Sequence, residues 1–515
     1  MQTHFLIKDI LNLSIGLALV LISIFLYFKK SLSLSITFLS IGAFVLRFFI
    51  IKLDPFLYMW DESFHALVAK NTMANPFKPM LYTNPVIPYD PTCWVSNTVW
   101  IHGPSILWLI AISYKIVGVS ELSTRIPSII MSTLMVPMLF RIGKITVNEK
   151  VGYLAAFLFA TANYQLEMVS GIINGDHSDV ASMFFICTSF WAWFEYKHSN
   201  KKYWLILIGL FSGLAVLTKW LIGFVVFFCW LLTIILNKEK RKELIRYKEL
   251  IGSGLIGFVI AASWYIYCLI RFPTETLATL SAYFQNYTSV IESHSGTTTY
   301  YPDLLGPQYG WIIPFILLPA LYYLYKNIEK KNEFKITLFT WLLFVEIFYT
   351  IAQTKMPLFT IIVAPVIYLA LGNLLFLIIE YLTIRVGKYK MGMIALLILL
   401  IGYSNIGISE IEGHHTDVGL MVSQRQEYMH NASIFKEVGN RFPQKDYVLF
   451  NCKDPVRAMF YSGMTSYQNI PDNTTCSQLE KEGIKIAIFN DGQLPTYILK
   501  DSSIVKLNYT TMPGI

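Results

Sequence analysis

The chain has 515 residues, of which 55% are hydrophobic and only 14% are charged, and its mean hydropathy is +0.50. An ordinary soluble domain has nearer to a quarter of charged residues, so this composition excludes that class and predicts a polytopic membrane protein. The net charge of +8 gives no indication of nucleic-acid binding, because the basic residues of membrane proteins collect on cytoplasmic loops.

Apolar runs long enough to cross a bilayer, about 17 to 25 residues each, recur along most of the chain. We predict about twelve spans, at 10–28, 32–51, 126–145, 151–168, 180–197, 203–219, 220–236, 250–271, 311–326, 334–352, 357–381 and 391–408. The fold class predicted from these runs is mainly α, a polytopic membrane helix bundle.

Basic segments on alternate loops give this bundle an orientation. They are Lys29-Lys30, Arg141 with Lys144 and Lys150, Lys197 with Lys201 and Lys202, and the ranges 237–248, 326–335 and 385–390. Because lysine and arginine favour cytoplasmic loops, all six segments can be cytoplasmic at once. The opposite loops then lie outside, among them a long first outer loop at 52–125 and the loop 272–310.

The first outer loop contains PSILWLIAISYKIVG (Pro104 to Gly118), which is apolar but barely long enough for one short span. A crossing at this point would invert every later basic loop. We therefore predict an amphipathic helix that lies in the outer interface, a position that Trp108 and Tyr114 favour.

The tail differs from the rest of the chain, because its apolar runs shorten to strand length at 447–452, 484–490 and 503–509. Helical and turn-rich pieces separate these runs, a pattern typical of a small α/β domain. We predict a transmembrane domain over 1–408 and an extracytoplasmic α/β domain over 409–515. Cys452 and Cys476 could pair in such a tail, and the sequence leaves that open.

Polar residues that could carry chemistry fall at outer span ends or in outer loops. They are Asp61, Glu62, His65, His102, Arg125, Asp176, His177, Asp179, Lys219 and Lys355. Carboxylates beside basic groups at a bilayer edge suit a substrate with a phosphate head, a lipid tail and a hydroxyl to be deprotonated.

The carboxylates each have two interpretations. Asp61 is either a general base, with Glu62 tuning it or holding an acceptor, or an N-terminal acid favoured by the helix dipole. Asp179 is an N-cap, a second carboxylate facing Asp61, or a ligand that holds a divalent cation together with Asp176.

The basic residues are equally ambiguous taken singly. Lys219 and Lys355 at span ends either bind substrate or extend to the interface. Arg125, just before Ile126-Pro127, has no distinctive spacing of its own.

The order of these pieces resembles the GT-C glycosyltransferases that use polyprenyl-phosphate sugars, the group of the protein O-mannosyltransferases and the aminoarabinose transferase of lipid A. The resemblance covers roughly residues 50 to 380. Its matches are Asp61-Glu62 for an acid motif that opens a helix, HGPSILWLIAISYKIVGVSELSTRIPSII (His102 to Ile130) for a Lys-Pro-Pro-Leu-like stretch that leads to Arg-Leu-Pro-Ser, DHSD with Asp179, LTKWLIG with Lys219, and KMPLFTIIVAP with Lys355.

Some positions depart from the family pattern. His102 and Gly103 stand where the family has lysine and its first proline, and Trp220 stands where glycine is usual. The later outer loop, where family members often hold donor phosphate with arginine, has no arginine between Arg271 and Arg385.

The resemblance implies transfer of a sugar from a polyprenyl-phosphate donor to a hydroxyl or amine of a lipid, glycan or protein acceptor, with inversion at the anomeric carbon. It places the reaction at the extracytoplasmic face of a membrane that we take to be the bacterial plasma membrane. Asp61, Glu62 and Asp179 are the catalytic candidates. The substrate-binding candidates are His102, Arg125, Asp176, Lys219, Tyr301 and Lys355.

The leaving group in this reaction is a phosphate monoester dianion, so positive charge is needed where that charge develops. The candidates for this role are, in declining order, Lys219, Lys355, Arg125 and His102. No nucleotide-binding motif is found or required. The one cofactor to consider is a divalent cation.

Two other functions remain open at this stage. One is a secondary transporter or flippase that uses the outer acids for ion coupling, although transporter sites usually lie near the bilayer midplane within repeats. The other is a catalytically inactive or binding relative, since His102 and Trp220 depart from the family pattern.

Overall fold

The computed structural model describes residues 5–87, 99–173, 177–329, 331–386, 390–416, 421–444 and 446–509. The predicted site residue Asp176 lies outside these ranges. The helices that precede the tail are α1 (Ile7–Phe28), α2 (Leu32–Ile51), α3 (Asp61–Thr72), α4 (Pro104–Val117), α5 (Glu121–Thr146), α6 (Glu149–Thr161), α7 (Asn163–Glu167), α8 (His177–Ser199), α9 (Tyr203–Lys219), α10 (Val225–Ile235), α11 (Leu244–Arg271), α12 (Pro273–Thr288), α13 (Tyr300–Tyr309), α14 (Ile313–Asn327), α15 (Asn332–Ile351), α16 (Ala364–Val386) and α17 (Lys390–Ile406).

The mainly helical class is confirmed. Within the described residues, eight helices are long and apolar enough to cross a membrane, or nine if α13 and α14, which meet at 94°, form one broken span. Two predicted spans, 203–219 and 220–236, adjoin across one short 3-10 turn at Trp220–Phe224. Since α6 has only 13 residues, the total of twelve crossings stays a prediction.

Helix α6 lies at the centre of the bundle. Every side chain from Val151 to Thr161 is buried, and α6 packs between α5 and α16. Close backbone contact makes this possible: a Cβ at Gly152 would lie only 2.3 Å from the carbonyl oxygen of Phe140. Because this stretch of α6 is buried on all sides, it lies inside the bundle and away from its surface.

Helix α4, in the first outer loop, and helix α5, which follows it, begin by local rules. Helix α4 begins with proline at its first position after Gly103, whose φ is +55°, because proline needs no N–H there and glycine tolerates positive φ. Its 14 residues span about 21 Å, short of the roughly 30 Å hydrocarbon core. Helix α5 begins with a capping box in which Ser120 and Ser123 bond to each other's backbone N–H.

The tail contains a parallel sheet at the predicted strand positions. Its elements are α18 (Ile408–His415), α19 (Val422–Arg441), β1 (Tyr447–Phe450), α20 (Pro455–Ser462), α21 (Asn473–Lys481), β2 (Lys485–Phe489), α22 (Thr496–Lys500) and β3 (Val505–Leu507). The strand order is β1-β2-β3, with Tyr447 opposite Lys485 and Ala487 opposite Val505. Cys452 and Cys476 are both free thiols.

The tail packs against the first outer loop. Helix α20 lies along α3, and the ring of Tyr467 stacks on that of Tyr82 at 5.1 Å between centroids. The Tyr467 hydroxyl also accepts hydrogen bonds from the backbone N–H groups of Val86 and Ile87. The sheet is therefore joined to the loop that contains Asp61.

Candidate functional site

A cavity of about 290 Å³ lies where the first outer loop meets the C-terminal ends of α9 and α12. Three predicted site residues, Asp61, His102 and Lys219, line it together. The remaining wall is largely aromatic. Its other lining residues include Trp60, Phe64, His65, Trp100, Trp220, Tyr283, Tyr287, Glu292, His294, Tyr349 and Phe359.

Asp61 and Glu62 point in different directions because they are consecutive residues of the first turn of α3, about 100° apart around the helix axis. Asp61 is exposed to the cavity, whereas Glu62 is 3% exposed and lies beneath it. Trp60, just before Asp61, has φ +64°, a conformation rare for a residue with a side chain. The two acids therefore occupy separate environments.

Glu62 is held by four contacts from three residues. Its carboxylate accepts hydrogen bonds from the Tyr58 backbone N–H at 2.7 Å and from Arg125 Nε at 2.7 Å and Nη2 at 3.0 Å, and its Oε1 lies 3.1 Å from His177 Nε2. Glycine is needed at position 171, because the Cβ of any other residue would lie only 2.7 Å from the carboxyl carbon of Glu62.

Burial by itself would raise the pKa of Glu62, but the charge of Arg125 and the hydrogen bonds from His177 and Arg125 outweigh it and lower the pKa. The Glu62 carboxylate is therefore ionised, and both of its oxygens are hydrogen-bonded within the protein.

Arg125 is fully buried and uses all of its donors on protein acceptors. Besides its bonds to Glu62, Nη1 donates to the carbonyls of Ile51 at 3.2 Å and Asp54 at 2.7 Å, and Nη2 donates to the carbonyl of Phe56 at 2.7 Å. Five N–H groups are all that a guanidinium has. The structure places Arg125 behind the cavity wall and not among its lining residues.

Lys219 and Asp179 form an ion pair at the edge of the cavity. Lys219 Nζ lies 2.6 Å from Asp179 Oδ1 and 5.7 Å from the centre of the Phe359 ring. Asp179 is 4% exposed, on the first turn of α8, while Lys219 ends α9. The neighbouring Thr218 hydroxyl lies 2.6 Å from that of Ser105 on α4, so three helices meet at this pair.

The turn after Lys219 explains why glycine is usual at the next position in the family pattern. Trp220 has φ +63° and ψ −158°, a region of the backbone map that essentially only glycine adopts. Its ring stacks on Tyr283 at 4.9 Å and meets the rings of Tyr265 and Phe284 edge-on. Tyr283 also lies 3.1 Å from His102 Nδ1. Packing of the ring offsets the backbone strain.

Lys355 and Tyr301 lie behind the cavity wall. Lys355 Nζ donates to the carbonyls of Tyr349, Thr350 and Ala352 at the end of α15 and lies 6.0 Å from the Tyr301 ring centre. Both side chains are buried, and burial lowers the pKa of Lys355. A cation at this helix end complements the helix dipole.

Glu292 and His294 are cavity residues that the sequence did not single out as a pair. They face each other at 4.0 Å and are about half exposed. The segment reaches the cavity because Lys355 N–H donates to the His294 carbonyl and the Thr354 hydroxyl accepts from the Ile291 N–H. No local pattern signals this, because the pairing joins loops about 60 residues apart.

The described residues contain no group of three or more histidine, cysteine, aspartate or glutamate side chains suited to a metal ion. Asp179 instead faces Lys219. The predicted cation site with Asp176 lies partly outside the described ranges, so it stays a prediction.

Known proteins share this fold. Residues 101–267 match the family described as dolichyl-phosphate-mannose-protein mannosyltransferase. The structure of ArnT from Cupriavidus metallidurans bound to undecaprenyl phosphate is similar, with a TM-score of 0.65, 13% identity, and coverage of 91% of this chain and 96% of that one. The structure of the oligosaccharyltransferase AglB from Archaeoglobus fulgidus, in complex with an inhibitory peptide and a dolichol-phosphate, is also similar. Its TM-score is 0.52 and its sequence identity 13%, and the match covers 87% of this chain and 69% of that one.

An uncharacterised protein of Aquifex aeolicus is 26% identical over 315 residues, which are 59% of this chain and 56% of that protein. The chain thus spans about half the length of this relative. The predicted resemblance is confirmed at the level of the fold: the chain has the helical membrane fold of these GT-C proteins, and residues 101–267 match the mannosyltransferase family.

Proposed function

We propose that this protein is a glycosyltransferase that moves a sugar from a polyprenyl-phosphate donor to a hydroxyl or amine of a lipid, glycan or protein acceptor. The observation that carries the proposal is one cavity lined by the Asp61 carboxylate and the Lys219 ammonium. A base for the acceptor and a cation for the phosphate are the two groups that this reaction requires.

The reaction is a single displacement. The acceptor oxygen or nitrogen attacks the anomeric carbon, Asp61 takes the acceptor proton, and the bond from the anomeric carbon to the phosphate oxygen breaks. Polyprenyl phosphate leaves with the bonding electrons, and the configuration inverts because the attack comes from the opposite face. Glu62 is unsuited to take this proton, since its oxygens already accept from Arg125 and Tyr58.

Substrate binding divides between the two sides of the cavity. Lys219 faces the phosphate and Asp179 fixes its position, while His102, oriented by Tyr283, adds a second polar contact. The aromatic wall suits the apolar faces of a sugar ring and the first isoprene unit. Glu292 and His294, on the opposite loop, are within the same cavity and suit the hydroxyls of sugar or acceptor.

We further propose that the chain crosses the bacterial plasma membrane about twelve times and that the cavity and the α/β tail face the extracytoplasmic side. The alternating basic loops support this orientation. The test introduces single cysteines as Lys238→Cys, on a proposed cytoplasmic loop, and Asp491→Cys, in the tail. In intact cells, we expect a membrane-impermeant maleimide to label position 491 and not position 238. Labelling of position 238 in intact cells would contradict the orientation.

The test of activity compares Asp61→Asn with Asp491→Asn, a matched change at an exposed acid in the tail. Purified full-length protein is incubated with undecaprenyl-phosphate pentoses and hexoses and with membranes of the source organism. We expect the wild type and Asp491→Asn to transfer sugar and release undecaprenyl phosphate. Asp61→Asn should lose at least about 100-fold in kcat, the range for a positioned general base.

Glu292→Gln identifies the base, because Glu292 is a second carboxylate in the cavity. We expect a smaller loss from Glu292→Gln than from Asp61→Asn. The reverse order would assign proton transfer to Glu292. Proton-coupled uptake of the lipid into vesicles, without sugar transfer, would favour a transporter instead.

A further inference from the structure

The segment that leads into Asp61, residues 53–60, has no helix or strand of its own. Buried backbone groups outside regular structure need other partners. Here three arginines supply donors to its carbonyls: Arg125 binds Asp54 and Phe56, and two others come from the tail. The path of this segment is therefore set by side chains from elsewhere in the chain.

Arg425, on α19, is the first of the tail arginines. Its Nη2 donates to the Leu53 carbonyl at 2.6 Å, and its Nη1 pairs with the buried carboxylate of Asp54. The same carboxylate lies 2.6 Å from His415 Nδ1 and accepts from the Tyr58 hydroxyl at 2.9 Å. Asp54 is 1% exposed, so these partners satisfy it in place of water.

Arg457, on α20, is the second. Its Nη1 donates to the Leu57 carbonyl at 3.3 Å, its Nε pairs with Asp454, and its guanidinium lies 4.2 Å from the centre of the Tyr428 ring. The hydroxyl of Tyr461 accepts from the Leu57 N–H at 2.9 Å. Both backbone groups of Leu57, four residues before Asp61, are thus held by one helix of the tail.

Helix α20 also contacts α3 itself. Lys70 Nζ, in the last turn of α3, donates to the Phe460 carbonyl at 2.7 Å and lies 5.5 Å from the Phe460 ring centre. The tail therefore holds α3 at its C-terminal end and the chain that enters it at the other end.

We infer that Arg425, Arg457 and Tyr461 are positioning residues for the transfer reaction, and that the tail sets the place of Asp61 relative to Lys219. The inference rests on the proposed function. Its physical basis is that a displacement of about 1 Å at a catalytic group can cost about 100-fold in rate. None of the three residues lines the cavity, so they act through the backbone of residues 53–60.

The first experiment is independent of activity. Amide hydrogen exchange, read by mass spectrometry on the full-length protein in detergent, compares the wild type with Arg425→Gln, Arg457→Gln and Tyr461→Phe. We expect exchange at residues 53–60 to accelerate about tenfold or more while α6 and the strands are unchanged. Arg441→Gln, at the exposed end of α19, is the matched control and should match the wild type.

The second experiment measures transfer. The same variants should lose about 10- to 100-fold in kcat with a donor KM within about threefold of the wild type, because the cavity wall that binds donor is unchanged. Arg457→Lys should not restore kcat, since an ammonium cannot bond Leu57 and Asp454 in one plane. Equal kcat in all variants with normal exchange would overturn the inference.

The variants differ in their risk to folding. Tyr461→Phe removes only one hydroxyl group, so it decides the question if either arginine variant does not accumulate. Unchanged exchange at 53–60 in Tyr461→Phe would overturn the inference. Altered exchange without any transfer by the wild type would support positioning by the tail and reject the proposed function instead.

Discussion

Lys219 Nζ lies 2.6 Å from the Oδ1 atom of Asp179. The carboxylate is buried, whereas the lysine side chain is 23% exposed. This contact fixes the position of the Lys219 ammonium before any phosphate arrives. A preorganised cation of this kind costs no reorganisation when charge develops on a leaving group. It also means that Lys219 has a structural role besides any contact with substrate.

A double-mutant cycle on this pair separates the two roles. Lys219→Met leaves Asp179 buried beside an uncharged side chain and should reduce stability by about 1–3 kcal/mol, and Asp179→Asn together with Lys219→Met should recover most of it. Transfer should stay low in the double variant, because the cation is missing. Thermal unfolding in detergent and kcat/KM measure the two effects. Recovery of transfer would contradict a role for Lys219 at the phosphate.

Arg125→Lys tests the buried hydrogen bonds that Arg125 makes beneath the cavity. Lysine offers three donors where Arg125 uses five, so at least two of the buried hydrogen bonds to Glu62 and the three carbonyls would be lost. We expect a loss of about 3–5 kcal/mol in unfolding free energy.

The matched control is Arg141→Lys on the same helix. Its pair with Glu195 is 35% exposed on the arginine side, so the cost should stay below about 1 kcal/mol. An unchanged unfolding temperature in Arg125→Lys, with a raised donor KM, would indicate that Arg125 binds phosphate after all.

The acid stability of the protein should depend on Glu62. Its pKa in the folded protein is below the ordinary 4.5 because of Arg125 and His177. The carboxylate therefore stabilises the fold above pH 4.5, and this contribution is lost as the pH falls through the folded pKa.

Glu62→Gln should flatten the decline of stability just below pH 4.5, where the slope from one proton is at most about 1.4 kcal/mol per pH unit. Asp54, whose pKa is held below 3.8 by His415 and Arg425 against the effect of burial, would still act at lower pH. Unfolding temperatures between pH 3 and 7 measure this, with the exposed Glu482→Gln as control. Identical profiles for Glu62→Gln and wild type would reject the assignment.

The turn at Trp220 gives a prediction about backbone strain. Trp220→Ala loses the ring contacts and keeps the unfavourable positive φ, whereas Trp220→Gly loses the same contacts and relieves the strain. The glycine variant should therefore be the more stable of the two by about 1–2 kcal/mol, measured by thermal unfolding. Greater stability of the alanine variant would mean that the turn does not adopt positive φ. Both variants should raise the donor KM, since the ring lines the cavity.

Much of the architecture could be predicted from the sequence because it depends on neighbours in the chain. Long apolar runs predicted the helical membrane fold, the Asp61 helix and the helix from Pro104 form at their expected starts, and strands lie within the three predicted runs of the tail. Trp220 was visible in the sequence as a departure from the glycine of the family pattern. Its positive φ explains why glycine is usual at this position.

The roles of individual side chains depend on contacts between distant parts of the chain. Glu62 and Arg125 are 63 residues apart, and only their packing revealed that they bond to each other beneath the cavity. Leu57 and Arg457 are 400 residues apart, and no local pattern links the tail to the segment before Asp61. Glu292 likewise reaches the cavity through loops joined by backbone hydrogen bonds.

The sequence by itself determined that the chain is a membrane helix bundle with its polar residues at span ends, because hydrophobicity and helix starts are local properties. Only the tertiary structure decided which of those residues face the cavity and which use their hydrogen-bonding groups on other parts of the protein. The physical reason is that a polar side chain has few hydrogen-bonding groups, and whether protein acceptors already occupy them is set by the three-dimensional packing.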